Sequence, residues 1–145
     1  MDLRHRAFEV TNVVNENWDK SETPIIFLAM FWGGGGPYTV PQIINAYDWI
    51  NHAIPTRAEM EVALNYLLAM GLIEQRGNTF RVSESHGRAF DTFRKKKRKR
   101  KFVAARMYFQ ELPSLVTLPR VIRLTEAQYK KHLETYRKAF NDAPG

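Results

Sequence analysis

The sequence predicts a mainly α fold with one small β-hairpin, and three patterns carry that expectation. Apolar residues recur at three- and four-residue steps along most of the chain. Two short runs rich in β-formers, residues 72–75 and 79–82, flank the turn Arg76-Gly77-Asn78. Glycine and proline cut the periodic stretches into separate helices at residues 33–37, Pro55, Gly71, Pro113 and Pro119. With 145 residues, 44% apolar and 12% aromatic, the chain can bury a core and is too apolar to stay disordered.

In chain order, residues 2–18 place Leu3, Ala7, Val10, Val14 and Trp18 on one helical face behind the capping residue Asp2. Ser21 or Thr23 caps the next helix, with Pro24 in its first turn. Its sequence, PIIFLAMFW, is apolar on every face, so it belongs in the core. The four glycines at 33–36 and Pro37 end it and are expected to act as a flexible hinge. Tyr38-Thr39-Val40 is a short extended piece, from which a helix runs through Asn51 with Ile43, Ile44, Tyr47 and Ile50 on one side. Thr56 caps a third helix striped by Met60, Ala63, Leu64, Leu67 and Leu68, with Gly71 just past its end. After the hairpin, Ser83 or Ser85 opens a fourth helix that holds Phe90 and Phe93.

Residues 88–112 can form one long helix, but its apolar stripe stops after Phe93 and resumes only at Val103, Met107, Tyr108 and Phe109. The intervening stretch either projects into solvent between anchored ends or breaks the helix. Pro113 and Pro119 mark a loop. Thr125 with Gln128 fits a capping box, and Leu124 with Tyr129 a hydrophobic staple, for a last helix. Its seam of Tyr129, Leu133, Tyr136 and Phe140 is too short for a free coiled coil and must dock on this domain or on a second copy.

The interval between those anchors, residues 94–101 (RKKKRKRK), is eight consecutive cations. The formal net charge is +7, so the rest of the chain is one charge negative. Charged helices usually mix signs to gain neighbouring pairs, yet no acid lies between Asp91 and Glu111. Such a run repels itself unless a polyanion neutralises it. As a helix it would set eight charges in about 12 Å of rise, and duplex DNA offers about seven phosphates over that length. Nucleic acid is therefore the first expected partner. Anionic lipid and acidic protein attract the same run, and RNA is not distinguished from DNA without base contacts. Phe93 and Phe102 flank the run and are expected to pack in the core rather than stack on bases.

The passage from Ala63 to Glu74, ALNYLLAMGLIE, followed by Arg76 to Glu84, RGNTFRVSE, resembles the helix, Gly-Leu-Ile, turn, strand and Ser-Glu sequence of bacterial winged helix-turn-helix regulators. The resemblance covers residues 23–93, about half the chain. The segment IINAYDWINHAIPT, from Ile43 to Thr56, is also similar to that of a group of small bacterial winged-helix proteins with no assigned activity. A winged helix of this kind implies a third helix entering the major groove and a hairpin beside it. By that resemblance the groove-facing positions are Arg57, Ala58, Glu61, Val62, Asn65 and Tyr66, with Arg76, Asn78 and Arg81 on the wing. Of these Arg57 and Asn65 can donate to bases or backbone, as can His52 at the preceding turn. Glu59 and Glu61 make the helix start acidic, so an exposed Val62 and Tyr66 would suit a protein contact.

Catalytic and metal chemistry have little to rest on. The glycine run lacks the Lys and Ser/Thr that a phosphate-binding P-loop requires. His5, His52, His86 and His132 are isolated and cysteine is absent, so no metal-ligand spacing appears and a reducing compartment is the expected setting. No nucleophile elbow or Ser-His-acid order is present. The N-terminus is charged where a signal peptide is apolar, and the longest apolar stretch is too short to span a bilayer.

The expected organisation is therefore an N-terminal helix over residues 1–22, a winged-helix domain over 23–93, a polybasic helical extension over 94–112, and a C-terminal loop and amphipathic helix over 113–145. The expected function is non-catalytic, cofactor-free DNA binding of regulatory or architectural type in a cytoplasmic homodimer. Phosphate contacts fall to Arg94, Lys95, Lys96, Lys97, Arg98, Lys99, Arg100 and Lys101. The alternative is a protein-interaction module whose surface is Val62, Tyr66, Tyr129, Leu133, Tyr136 and Phe140, with the basic run serving RNA, membrane or an acidic partner.

Overall fold

The computed structural model describes residues 22–140. The helix expected over residues 2–18, with its Asp2 cap and Trp18 anchor, lies outside them. The described residues form six helices and one antiparallel hairpin, an order compatible with a winged helix. They are α1 (Thr23–Trp32), α2 (Val40–Asn51), α3 (Arg57–Ala69), β1 (Ile73–Arg76), β2 (Thr79–Val82), α4 (Glu84–Lys97), α5 (Lys101–Gln110) and α6 (Glu126–Phe140).

Helix α1 is the centre of the core. Residues 23–30 are all buried, as an all-apolar sequence requires, and α2, α3 and α5 pack around it. Thr23, expected as a cap, is instead the first helical residue and is buried, while Glu22 takes the N-cap position with no side-chain bond to the helix backbone, its carboxylate accepting from Tyr47 Oη instead. Pro24 still fits because the first turn has no partner for its missing N–H. Helices α2 and α3 both begin with reciprocal capping boxes, Thr39 with Gln42 and Thr56 with Glu59. Each box satisfies two backbone donors that would otherwise be orphaned at a helix start.

The glycine run is a joint with fixed partners rather than the expected hinge. Gly35 N–H donates to Met30 O, and Val82 N–H donates to Gly35 O. Gly36 has a φ of +102°, and a Cβ there would lie 2.8 Å from the Phe80 carbonyl oxygen. Only glycine lets the loop run that close to β2. One residue pair further, Tyr38 and Phe80 exchange N–H···O bonds of 2.7 and 2.8 Å, so the short extended piece becomes a bridge on the hairpin's edge. The hairpin pairs Ile73 with Val82 and Arg76 with Thr79. Gly77, at φ +61°, occupies the first turn position, where a left-handed residue suits the twist of the strands.

Helices α4 and α5 meet at an aromatic cluster. Phe90 is fully buried, with its ring 5.7 Å from Phe27, 4.9 Å from Phe31 and 5.4 Å from Tyr108, all edge-on. Phe27 also meets Phe109 at 5.5 Å, which ties α5 to α1. Helix α6 starts with the expected capping box, Thr125 and Gln128. It lies along α2, where Tyr136 Oη donates to Asp48 at 2.5 Å and Tyr129 Oη to the Pro55 carbonyl at 2.5 Å. The seam therefore docks on this chain: Tyr129 and Tyr136 are buried, Leu133 is half-buried and Phe140 stays exposed.

Candidate nucleic-acid interface

The basic run is not one helix. Residues 94–97 form the last turn of α4, Arg98 adopts a left-handed conformation at φ +54°, and α5 begins at Lys101. Phe93 on α4 packs on Tyr108 of α5 with ring centroids 5.4 Å apart. Burying both aromatic anchors on one core forces the chain to turn back between them, and the turn falls within the cations. Of the two expected outcomes the break is the one found, and the eight charges form a cationic corner.

Local electrostatics suit one half of the corner and strain the other. Four cations in the last turn of α4 complement the negative end of its dipole. Arg100 and Lys101 instead open α5, where the dipole is positive and the N-cap makes no side-chain bond. Asp91 is the one carboxylate that approaches the run among the described residues. It takes Arg94 at 2.7 Å and Lys95 at 3.0 Å. Those hydrogen bonds, Lys95's first, hold its carboxyl below the ordinary range. Arg94 also lies 5.1 Å from the Trp32 ring centroid and 5.7 Å from that of Phe31, and Lys101 5.5 Å from Trp32. Lys97 lies 5.5 Å from Phe93. Lys96, Arg98, Lys99 and Arg100 are exposed and have no carboxylate partner among the described residues.

The face of α3 expected to meet a groove or a partner is covered. Glu61, Asn65 and Tyr66 have 0% exposure and Val62 has 7%. The cover is the chain's own segment 113–125. Asn65 fills every valence of its amide against it and α3: Oδ1 accepts from Val121 and Ile122 N–H at 2.7 Å each, and Nδ2 donates to Ile122 O at 2.8 Å and Glu61 O at 2.9 Å. Glu61 accepts Leu124 N–H at 2.6 Å and Arg120 at 3.2 Å, with Arg57 at 3.4 Å. Arg57 in turn donates to the Leu124 carbonyl at 3.0 Å, and Tyr66 Oη to that of Pro113 at 3.3 Å. Of the two acids at the start of α3, Glu61 anchors this strap, while Glu59 closes the capping box with Thr56. Val62 and Tyr66 offer no exposed contact surface. Ala58 is half-buried beside Arg57.

The side chains expected on a wing are on the surface of the hairpin. Arg76 and Asn78 are exposed, and Arg81 is exposed but bonded across the hairpin to Glu74 at 3.2 Å. His52, at the turn after α2, is exposed and left-handed at φ +53°. The histidines on helices are shielded: burial depresses the basicity of His86, whose Nδ1 lies 2.8 Å from Tyr108 Oη, and of His132. Two functional candidates are not evident from the sequence pattern. Trp32 ends a helix that is apolar on every face and Trp49 lies off the stripe of its own helix, yet they are 48% and 76% exposed. The available signal was Trp49's position, off the stripe of Ile43, Ile44, Tyr47 and Ile50.

No helix among the described residues is long and apolar enough to cross a membrane. No protein-family model, curated protein or solved structure matches this chain.

Proposed function

We propose that this chain is a nucleic-acid-binding protein of winged-helix type, with DNA as its first partner, which grips the phosphate backbone through the corner at residues 94–101. The observation that carries the reading is the set Lys96, Arg98, Lys99 and Arg100, exposed at one bend with no carboxylate among the described residues to neutralise them. Like charges concentrated at the positive end of α5 raise each other's energy, and a bound phosphate relieves that cost. The covered face of α3 argues for an architectural or sequence-independent role over operator reading, because base discrimination requires side chains that reach base edges. A second reading, protein contact, has less surface to support it: Val62 and Tyr66 lie under the strap, Tyr129 and Tyr136 are buried, and of its six residues Phe140 alone is exposed.

The test is fluorescence anisotropy against labelled DNA at several salt concentrations. Four phosphate contacts give a log–log salt slope of about −3.6 on duplex, or about −2.8 on single strands, so duplex affinity falls roughly 150-fold between about 50 and 200 mM salt. Replacing Lys96, Arg98, Lys99 and Arg100 together with Gln should flatten that slope and weaken binding to all sequences alike. An unchanged slope in the fourfold variant removes the corner from the interface, and tighter binding to anionic vesicles than to DNA replaces nucleic acid with lipid.

A further inference from the structure

Beside the cationic corner lies an aromatic cavity of about 470 Å³, between the end of α1, the glycine joint, α2 and the last residue of α6. That volume is within the range of sites that hold small ligands. Trp32, Trp49 and Phe140 line it, and all three are exposed large apolar side chains, Phe140 at 40%. Scattered exposed aromatics need no explanation, but three converging on one concavity do. Its polar side chains are two amides and the Tyr38 hydroxyl, which donates to Met30 O. Among the described residues the Asn45 side chain makes no hydrogen bond, and Gln42 spends Oε1 on the Thr39 N–H at 2.8 Å while its NH₂ group has no partner. Asn and Gln present the paired donor and acceptor that base edges match.

The cavity is connected to the basic run through one ring. Arg94 and Lys101, at the two ends of the run, both stack against the Trp32 indole that forms part of the cavity wall. Phosphate-binding charge and a stacking surface are therefore adjacent. Duplex DNA has no free base to use the second. A single strand uses both, since its unstacked bases lie on aromatic side chains while its backbone follows the cations.

We propose that this cavity receives one unstacked base of a single-stranded nucleic acid whose phosphates lie on the corner, which makes single strands the preferred substrate. This rests on the backbone-binding reading above and names its substrate class. The base stacks on Trp49 and Trp32, and the Asn45 and Gln42 amides meet its edge.

The experiment compares a fluorescein-labelled oligothymidine with a blunt duplex of equal phosphate count, binding to the full chain at one fixed salt concentration. The wild-type chain should bind the single strand more tightly. Stacking on an aromatic residue contributes enough that Trp49→Ala should weaken single-strand binding about tenfold or more, while duplex binding changes less than about twofold. Trp49 is so exposed that the substitution should leave the fold intact, which circular dichroism verifies. Asn45→Ala, a second variant, should lower single-strand affinity without touching the aromatic wall. Equal or tighter duplex binding by the wild-type chain, or equal losses on both ligands in Trp49→Ala, overturns the cavity's role while leaving the corner in place. A homodimer that Trp49→Ala converts to monomer in sedimentation overturns it too, by giving the cavity to a second copy. Loss of all binding in the fourfold Gln variant belongs to the corner alone, so the two readings fail separately.

Discussion

Removing the Glu61 carboxylate tests the strap most directly. In Glu61→Ala the Arg120 guanidinium, whose side chain is 21% exposed, loses its one carboxylate partner among the described residues. Arg57, at 17%, keeps the Leu124 carbonyl and Glu126. Leu124 N–H loses its acceptor as well. Removing one member of a buried charge cluster costs about 3–5 kcal/mol, chiefly because the remaining charge stays buried. That is a large share of the about 5–15 kcal/mol by which a domain is stable. Glu61→Gln keeps an acceptor for Leu124 N–H and drops only the charge, so its cost should be about 1.5–3 kcal/mol. With a urea m-value of about 2 kcal/mol/M, the unfolding midpoint should fall by about 2 M for Ala and about 1 M for Gln. Urea titration followed by circular dichroism measures both, and limited proteolysis should show segment 113–125 cut first. A midpoint for Glu61→Ala within about 0.5 M of wild type would refute the idea that this carboxylate holds the strap down.

Two further outcomes follow from geometry and burial. Gly36→Ala forces a side chain into a left-handed backbone position with its Cβ 2.8 Å from the Phe80 oxygen, so it should cost at least about 1–3 kcal/mol; a drop in Tm of roughly 3 to 10 °C in a thermal melt checks this. His86 and His132 titrate below their ordinary 6.5 because burial disfavours the cation, so over that window the unfolded chain binds more protons. Their contribution to stability is fully present above 6.5 and should be lost as pH falls from 6.5 through the depressed values; urea midpoints across that interval measure it, and His86→Gln should reduce the pH dependence.

The elements were legible because their signals are local. Thr39 with Gln42, Thr56 with Glu59 and Thr125 with Gln128 each mark a helix start within four residues, and Gly77 marks the hairpin. The cover on α3 was not legible, because Glu61 and Asn65 find their partners about sixty residues away, and a polar residue on a helix reads as solvent-facing until its partner is known. The break in the basic run was half legible. The gap in the apolar stripe between Phe93 and Val103 signalled it, but no glycine or proline marks Arg98, where core packing on both sides imposes the turn. Of the candidate interface, the cations were evident from charge alone. Their neighbourhood with Trp32 required the fold, since α1 and the corner are more than sixty residues apart in sequence.

The Asn65 amide has an implication for how the chain matures during synthesis. The α3 sequence is made some fifty residues before Val121 and Ile122, so at about 5–20 residues per second Glu61 and Asn65 wait seconds for the segment that pairs them. The late segment completes the early one, because Leu118 and Leu124 join the hydrophobic core with the same stretch of chain whose backbone Asn65 and Glu61 hold.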